Sequence, residues 1–392
     1  MFGSFALFAT WVFAPQVDAD LALPLSTPAI PAATPRAGDT PRAAGTPEIL
    51  YINFDGGGLQ TGCGNDPHYD CSTLADLFGG YVGPYDGNLT QRISILQATR
   101  KDLKEFGVNV VLDRPPPDVD YTMVIYGDLG EQSFAGIAPY IDCEDRRGGD
   151  TSFTQGFGSS NTGSTVILQE AAHTWGLEHV DAERDILNPF KASGFNQSFN
   201  DECFKIVANT DLEPTAGSCN QVHTRFCETG YQNSWQEMKL LFGPAVPDTV
   251  TPTLEITNPI DGATFVLPVT IPLLGDVQDD RHPQFYTLQL YNHDELLVEV
   301  ERIGLDLVLL DPPPGDYDLR VVLADEAGNA TEDSVTFTIL PEGSELPPEV
   351  DEDDPAEPAE AGCRAAGRTD LGPTGGLLLL LLMLPRSRRR RS

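Results

Sequence analysis

The sequence has few basic residues: 24 lysines and arginines stand against 59 aspartates and glutamates among 392 residues, giving a net charge of −35. This charge repels nucleic acids and anionic membrane surfaces and argues against polyanions as partners. No twelve-residue loop with acidic ligands at alternate positions occurs, so a solvated acidic surface is favoured over a calcium site. The hydrophobic fraction of 40% excludes disorder throughout, and the length is sufficient for two domains.

Positive charge is also missing from the N-terminus, where no lysine or arginine precedes Arg36. The apolar run Phe5–Ala14 nevertheless has the length of a signal-peptide core, and the small residues of Val17–Ala19 suit cleavage. We therefore expect residues 1–22 to be a signal peptide that exports the protein. Residues 23–46 are rich in Pro, Ala and Thr, which predicts an exposed tether without a core.

No C-x-x-C pair occurs, which argues against a cysteine zinc site. Six of the seven cysteines lie in one region, and their even number predicts three disulfides formed in an oxidising compartment: Cys63, Cys71, Cys143, Cys203, Cys219 and Cys227. Six cysteines allow fifteen pairings. Closing the shortest loops favours Cys63–Cys71 and Cys219–Cys227 and leaves Cys143 with Cys203.

The seventh cysteine, Cys363, begins a C-terminal tail, CRAAGRTDLGPTGGLLLLLLMLPRSRRRRS, after the acidic, Pro-rich linker 341–362. The order of cysteine, spacer, leucine run and arginine cluster in residues 363–392 resembles the MYXO-CTERM sorting tail of myxobacterial surface proteins. The leucines partition into lipid and the arginines stop transfer. Leu377–Leu384 is short of the roughly 20 residues that span a bilayer. The resemblance implies processing near Cys363 by sorting machinery, cell-surface location, and membrane contact through this tail alone.

Residues 250–340 lack cysteine and contain short strand-like runs separated by turns: LEIT, ATFVLPVTIPLL, FYTLQLYN, YDLRVVLAD and SVTFTI. Alternating apolar and polar residues in YDLRVVLAD predict a strand with one buried face. The turn that follows matches the DxAGN turn of bacterial Ig-like modules at Asp325, Ala327, Gly328 and Asn329. We expect an all-β Ig-like sandwich held by packing alone, acting as a spacer rather than as a specific binding module.

Residues 47–244 predict an α+β domain. EILYINFDG, VNVVLD and YTMVIYGD are predicted strands, and SFAGIAPY and SFTQGF are predicted edge strands. The segment LTQRISILQATRKDLKEFG predicts a helix that ends at Gly107 and places Ile93, Leu96, Leu103 and Phe106 on one face. STVILQEAAHTW predicts a second helix, ended by Gly176.

The second helix carries the stretch ILQEAAHTWGLEHVD, in which a glutamine stands at the first of three positions suited to metal-ligating histidines. Residues four apart share a helix face, so Gln169 and His173 point the same way. Gly176 permits a sharp turn, and His179 returns to the same place from outside the helix. Glu170 would take a proton from the attacking water, the general-base role that peptide hydrolysis needs.

This pattern resembles the signature of the metzincin zinc peptidases, H-E-x-x-H-x-x-G-x-x-H followed by a methionine turn. DILNP, with Leu187 in the place of the methionine, matches that turn. The resemblance implies a mixed sheet with an active-site helix, Zn²⁺ held by His173 and His179, Glu170 as the base, and Leu187 as an apolar floor. It also implies protein or peptide substrates.

The glutamine is the main departure, because an amide oxygen is a poor zinc ligand in a site with three protein ligands. Gln169 is thus a weak or absent ligand, and Asp181 or His223 are alternatives to complete the set. The alternative function is a catalytically inactive scaffold that serves in adhesion or ligand binding. His68, His282 and His293 occupy polar, loop-like contexts and are predicted surface residues. The oligomeric state is not indicated.

Overall fold

The computed structural model describes residues 30–34, 40–190 and 196–346. The expected signal peptide at residues 1–22, the sorting tail at residues 363–392 with Cys363, and most of the linker before it lie outside the described residues. Within the described part of the chain, no helix has the length and apolarity needed to cross a membrane.

The described residues of the N-terminal part form short strands and four helices. The strands are β1 (Glu48–Asn53), β2 (Gly57–Gly58), β3 (Tyr81–Pro84), β4 (Val108–Val111), β5 (Thr122–Asp128), β6 (Gly136–Ile137), β7 (Thr151–Gln155), β8 (Phe204–Lys205) and β9 (Tyr231–Gln232). The helices are α1 (Leu89–Asp102), α2 (Ser160–Thr174), α3 (Asn220–His223) and α4 (Ser234–Phe242).

The main sheet is mixed and has the strand order β4-β1-β5-β7-β6. The first four strands in this order are parallel, and β6 pairs antiparallel with β7 at the edge. Strand β3 pairs antiparallel with the last residues of β5, and β2 with β3. Of the two predicted edge strands, β6 is one, whereas β7 lies inside the sheet because it pairs on both sides.

Helices α1 and α2 cover one face of this sheet. Leu50 and Ile52 of β1 join Leu96 of α1 and Leu168 of α2 in one buried core, while Tyr51 between them belongs to a second cluster on the other face. This alternation follows the pleat of a strand. Buried on both faces, the parallel strands carry near-continuous apolar residues, as parallel sheets do.

Helix α1 begins at Asn88, whose side chain accepts a hydrogen bond from the Gln91 backbone N–H while Gln91 bonds back to Asn88, a capping box. The helix ends at Asp102, five residues before the predicted stop. Leu103 and Phe106 are still buried, but in the turn after the helix. Gly107 approaches α4 so closely that an added Cβ would lie 2.3 Å from the Phe242 carbonyl oxygen, which fixes glycine there.

Most of the described residues of the predicted tether at 23–46 are exposed, as predicted, but the segment forms specific contacts with the domain. Ala33 donates a backbone hydrogen bond to Ile141 over 2.8 Å. The guanidinium of Arg42 lies 2.6 Å from the Glu48 carboxylate and 2.7 Å from that of Asp145, both buried. A buried ion pair of this kind ties the segment down because neither carboxylate can reach water.

Three disulfides join the six cysteines of this part, as predicted, but two of the three predicted pairs are wrong. Cys63–Cys71 is present, whereas Cys143 pairs with Cys219 and Cys203 with Cys227. Loop length alone favoured other partners, but tertiary packing decides: Cys219, at the start of α3, packs in one cluster with Ile141 and Cys143.

The C-terminal part is a β-sandwich, as expected. Its strands are β10 (Thr253–Asn258), β11 (Ala263–Val266), β12 (Thr270–Gln278), β13 (Tyr286–Asn292), β14 (Glu295–Arg302), β15 (Leu305–Leu310), β16 (Gly315–Ala324) and β17 (Ala330–Leu340). One sheet has the order β10-β12-β15 and the other β11-β17-β16-β13-β14. The predicted single run ATFVLPVTIPLL is split between β11 and β12 in different sheets, and β14 and β15 were not predicted.

The core of the sandwich is apolar and comes from alternate residues of its strands. Leu319, Val321 and Leu323 of β16 are fully buried, as their alternation predicted. In the turn after β16, the Asp325 carboxylate accepts hydrogen bonds from the backbone N–H and the side-chain amide of Asn329, over 2.8 and 2.9 Å. Gly328 has a positive φ of 87°, which explains the glycine of the DxAGN turn.

Candidate metal site

Helix α2 carries the predicted site and is buried along most of its length. The Ser159 side chain caps its first turn by accepting a hydrogen bond from the Thr162 backbone N–H. Gly176, two residues past its end, has a φ of +98°, and an added Cβ would lie 2.8 Å from the Asp142 carbonyl oxygen. Glycine is therefore required on two grounds, and the predicted turn is confirmed.

The turn brings His173 and His179 together. Their Nε2 atoms are 3.1 Å apart, and their ring centroids are 4.5 Å apart with the rings nearly perpendicular. Both side chains are buried. Two imidazole nitrogens that hold one tetrahedral zinc ion at 2.0–2.1 Å are separated by about 3.3 Å. The spacing of the two nitrogens thus fits a shared metal ion.

The protons of the two rings point to the same conclusion. Nδ1 of His173 lies 2.8 Å from the Leu177 carbonyl oxygen, which can only accept, so Nδ1 carries the proton and Nε2 a lone pair. The Ala208 backbone forms a hydrogen bond with the His179 ring. A backbone carbonyl that orients an imidazole, as that of Leu177 orients His173, is typical of metal-ligating histidines.

Neither ring is expected to become positively charged at neutral pH. Burial lowers the pKa of His173 to about 4, and burial together with the neighbouring His173 lowers the pKa of His179 well below its usual value. Two neutral imidazoles at this distance share one hydrogen bond when His179 carries its proton on Nε2. When both Nε2 atoms are unprotonated they can instead hold a cation, and the chemistry of the donors fits Zn²⁺.

Gln169 lies one helical turn before His173 and is 1% exposed. Its Nε2 donates a hydrogen bond to the Asn188 backbone carbonyl over 2.8 Å. Its Oε1 is buried, and no described residue donates a hydrogen bond to it. The glutamine therefore connects α2 to the DILNP turn with one end of its amide and leaves a buried acceptor at the other.

Glu170 is fully buried, and burial raises the pKa of its carboxyl well above the usual value. The Ala138 backbone N–H opposes this shift electrostatically, but neither carboxyl oxygen has a hydrogen bond of good geometry among the described residues. Strand β6 lies directly over it: a Cβ at Gly136 would be 2.6 Å from Glu170 Oε1. The predicted base is thus covered by the backbone of the edge strand.

The DILNP turn is held against the segment that carries His179. Leu187 is fully buried in the main core, and its carbonyl oxygen accepts a hydrogen bond from the Val180 backbone N–H over 3.0 Å. Asp185 shapes the turn: its carboxylate accepts hydrogen bonds from the Leu187 backbone N–H and the Ser234 hydroxyl, over 3.0 and 2.7 Å. The role of Leu187 as a floor beneath a metal stays a prediction.

The two alternative third ligands are not brought to the histidine pair. Asp181 is exposed. His223 is buried with both ring nitrogens engaged, Nδ1 with Glu237 over 2.9 Å and Nε2 with Glu178 over 3.2 Å. Although burial alone would lower it, hydrogen bonds to these carboxylates raise the pKa of His223 to about 9. His223 is therefore the centre of a buried charge network.

Glu178, Cys219 and His223 also place three potential metal-ligating atoms close together. Cys219 is bonded to Cys143 in a disulfide, so its sulfur is not a thiolate. His223 already bridges two carboxylates. This group is thus better described as a structural network than as a second metal site.

The remaining histidines are only partly as predicted. His293 is exposed, whereas His68 is half-buried, with its ring nitrogens against Asp66 and the Val119 carbonyl. His282 is exposed as predicted, and its ring stacks on Tyr286. None of the three lies near the α2 motif in the chain, and their hydrogen bonds, ion pairs and ring contacts are with other residues.

Sequence reasoning missed two features of the site: the hydrogen bond from Gln169 to Asn188, and the Glu178–His223–Glu237 network. The first could have been anticipated, because a glutamine amide carries an NH₂ donor that can bind a neighbouring backbone carbonyl. The second had none, since the three residues are far apart in the sequence.

Comparisons with known proteins add little. No known protein family matches the sequence, and no curated protein matches it. Fibronectin(III)-like modules of CbhA from Clostridium thermocellum are 19% identical and cover 22% of this chain and 94% of their own, with a TM-score of 0.20. The PKD domain of human KIAA0319 is 20% identical and covers 26% and 92%, with a TM-score of 0.19. These scores are too low to support any functional argument.

Proposed function

We propose that the N-terminal part is a metzincin-like zinc endopeptidase that hydrolyses protein substrates outside the cell. The observation that carries the proposal is the convergence of the Nε2 atoms of His173 and His179, 3.1 Å apart, with the Nδ1 of His173 bound to the Leu177 carbonyl. The motif spacing, the glycine turn after α2 and the unpaired Glu170 carboxyl support it further.

Zinc held by His173 and His179 would polarise the carbonyl of the scissile peptide bond as a Lewis acid. Glu170 would take the proton of the attacking water at a carboxylate oxygen and pass it to the leaving nitrogen. Burial keeps the pKa of this carboxyl high, which favours the protonated form. A divalent cation nearby would lower the pKa of this carboxyl by direct attraction and favour its ionised form.

Substrate must reach a carboxyl that β6 covers. Strand β6 has two residues and lies at the edge of the sheet, paired with β7 on one side only. Both of its residues are buried, so displacing it would expose apolar surface as well as break its hydrogen bonds to β7. Displacement of this strand is thus part of the proposed catalytic cycle.

A second candidate function has its own observation. Glu170 and His173 have no exposed surface, and the amide of Gln169 is committed to Asn188. A peptidase scaffold that keeps its fold but has closed its cleft would look the same. On this alternative the protein is an inactive adhesion or ligand-binding module.

The proposed location at the cell surface is based on the two termini and the disulfides. Three disulfides in the N-terminal part support folding in an oxidising compartment. The proposed signal peptide would export the chain, the sorting tail would hold it at the cell surface, and the sandwich would act as a spacer. Deleting residues 363–392 should release the protein into the medium, and a chain that stays cell-bound without them would contradict the sorting role.

Two measurements test the function: the zinc content per chain and the rate at which a denatured protein substrate is cleaved. They are made on wild type, on Glu170→Gln, and on the double variant that combines His173→Ala with His179→Ala. Wild type should carry close to one zinc per chain and cleave. Glu170→Gln should keep its zinc and lose about 10²–10⁴-fold in rate. The double histidine variant should lose both.

Two other outcomes decide against the proposal. If wild type and Glu170→Gln bind zinc equally and both fail to cleave, the inactive scaffold is correct. If wild type carries no zinc after folding in its presence, the metal site itself is wrong.

A further inference from the structure

The short helix α3 places a cysteine and a histidine one turn apart. Cys219 precedes the helix and His223 ends it, and the His223 backbone N–H donates a hydrogen bond to the Cys219 carbonyl over 3.2 Å. Residues four apart in a helical turn share one face. Both side chains are fully buried.

Glu178 meets this face from the segment after Gly176. Its Oε1 lies 3.2 Å from Nε2 of His223. One oxygen of Glu178, Sγ of Cys219 and a ring nitrogen of His223 all lie within 4.8 Å of one another, and no other group of three such side chains meets this limit among the residues that the structure describes. Ligand atoms of one tetrahedral zinc ion are separated by about 3.3 to 3.6 Å. The oxygen and the nitrogen are already at that distance, and the sulfur is close to it.

Each of these groups is also held from outside. Nδ1 of His223 lies 2.9 Å from the Glu237 carboxylate, and a histidine that binds metal through one nitrogen commonly donates its other N–H to a carboxylate. The Glu178 carboxylate accepts a hydrogen bond from the Cys219 backbone N–H over 2.9 Å. The Gln232 amide holds the Glu178 backbone through two hydrogen bonds, of 2.8 and 3.1 Å. Contacts of this kind orient the ligands of a zinc site.

The disulfide between Cys143 and Cys219 determines whether the sulfur can be a ligand. While the disulfide is intact the sulfur is not a thiolate, and the group is the structural network described above. A small thiol can open the bond in two exchange steps. Its thiolate attacks Sγ of Cys143, which is half-buried, and fully buried Cys219 leaves as the thiolate. A second thiol displaces the first from Cys143, so two thiols become one disulfide and the two cysteines gain two electrons and two protons.

We infer that Glu178, Cys219 and His223 form a zinc site when the disulfide between Cys143 and Cys219 is open. Zinc displaces the proton of the Cys219 thiol and the proton on Nε2 of His223, and both protons go to solvent. Thiolate, imidazole and carboxylate are ligands that zinc takes in proteins, and a water molecule completes the four. This site is separate from the proposed site on α2 and does not depend on it.

The two redox states tie α3 to different partners. The disulfide joins Cys219 to the segment of Cys143, in which the Asp142 backbone N–H donates a hydrogen bond to the His173 carbonyl over 3.2 Å. Zinc joins Cys219 instead to Glu178, the residue before His179. The ion thus replaces the covalent link of α3 in the reduced chain, and thiols in the surroundings determine whether this site takes up zinc.

The experiment titrates Co²⁺ into the full chain and records the sulfur-to-cobalt charge-transfer absorption, which requires a thiolate ligand. Cys143→Ser frees the Cys219 thiol without a reductant and should bind one Co²⁺ per chain with this absorption, which Zn²⁺ then abolishes. Oxidised wild type gives the background. Cys203→Ser is the matched control, because it frees Cys227, which belongs to no such group among the described residues, and it should stay at the background.

Further substitutions in the Cys143→Ser chain identify the other ligands. Glu237→Gln removes only the carboxylate behind His223 and should weaken Co²⁺ binding about 10–100-fold. His223→Gln and Glu178→Gln remove ligands and should weaken it by more than Glu237→Gln does. Equal affinity in all of these variants would overturn the assignment of the ligands.

The remaining outcomes are also decisive. A folded Cys143→Ser protein without the charge-transfer absorption at saturating Co²⁺ overturns the inference, as does equal absorption in Cys203→Ser. If Cys143→Ser folds only with zinc, the ion replaces the disulfide and the inference is supported. If Cys143→Ser and Cys143→Ala both fail to fold with zinc, the ion does not replace the link and the inference is overturned. The α2 site contains no sulfur, so failure of the proposed function leaves these readouts unchanged.

Discussion

The N-terminal part and the sandwich differ in how many polar and ionisable residues they bury. Among the described residues of the sandwich, only Gln284 and Asp325 are buried polar groups, and the core is otherwise apolar. All other buried polar or charged residues that the structure describes lie in the N-terminal part. They include these ionisable groups: Glu48, Asp142, Asp145, Asp150, Glu170, His173, Glu178, His179, Asp185, His223 and Glu237.

The difference bears on function. Burying an ionisable group costs free energy unless it is paired, so a fold that buries many of them must hold them in fixed networks. Most of those in the N-terminal part are paired, as Arg42 is with Glu48 and Asp145. Glu170 is an exception, because neither of its carboxyl oxygens has a hydrogen bond of good geometry among the described residues. The sandwich contains little of this kind, consistent with a spacer.

The largest expected effect concerns the covalent links, which only the N-terminal part has. Cys143→Ser with Cys219→Ser opens a loop with a sequence separation of 76 residues, which costs about 4 to 5 kcal/mol by loop entropy. The pair Cys63 and Cys71, separated by 8 residues, should cost about half as much. Urea unfolding followed by circular dichroism measures both.

Hydrogen exchange resolved by peptide is the control for that comparison. Exchange should quicken in α2 and β5 of the Cys143→Ser, Cys219→Ser protein and stay unchanged in β13 and β16. Equally faster exchange in both parts would show that the stability of the sandwich also depends on the disulfide, which would contradict this prediction.

The next effect concerns Arg42. Arg42→Ala leaves the buried carboxylates of Glu48 and Asp145 without their cation, and we expect a loss of about 3 kcal/mol. Arg320→Ala is the matched change in the sandwich, where Arg320 forms an exposed pair with Glu332, and it should cost less than about 1 kcal/mol. Equal losses in urea unfolding would refute the distinction between buried and exposed pairs.

A pH effect of similar or smaller size should come from His223. Its pKa is about 9 when folded, against about 6.5 in the unfolded chain. Because the folded pKa is raised, its contribution is fully present below pH 6.5 and is lost as pH rises through 9. The contribution is about 3 kcal/mol.

His223→Gln provides the comparison. Burial, with Asp145 adding to it, also raises the pKa of Glu48 to about 8, so wild type loses stability over this range for two reasons. The difference in unfolding free energy between wild type and His223→Gln should shrink from pH 6.5 to pH 9.5. A difference that stays constant with pH would show that His223 is not charged in the folded protein.

The smallest effect lies in the sandwich. Asp325→Ala removes the two hydrogen bonds that Asn329 donates, and we expect a loss of about 1 to 2 kcal/mol. Hydrogen exchange should quicken in β16 and β17 and stay constant in α2. No change in β16 would mean that packing, not the turn, determines the stability of this hairpin.

The sequence predicted what depends on local pattern. The α2 helix, the sharp turn at Gly176 and the alternation in β16 each follow from a few adjacent residues, and all are confirmed. The pairing of Cys143 with Cys219 was predicted wrongly, because loop length measures only the unfolded chain and not the packing that brings the two together.

In the candidate site, too, local features could be predicted from the sequence, whereas tertiary contacts could not. The convergence of His173 and His179 followed from spacing and a glycine, both readable from the sequence. The cover that β6 places over Glu170 did not, since Gly136 is 34 residues away and meets Glu170 only through the sheet. Likewise, the binding of Arg42 to Glu48 and Asp145 required a segment that composition alone assigned to a tether.

One feature near the site has a practical consequence. Trp175 follows α2 directly, two residues after His173; it is 1% exposed, and its indole N–H donates a hydrogen bond to the Thr122 hydroxyl over 2.9 Å. Its ring lies 4.9 Å from that of Phe242. Indole emission is sensitive to such contacts, so the intrinsic fluorescence of the unlabelled protein offers an optical signal for titrating metal into the site.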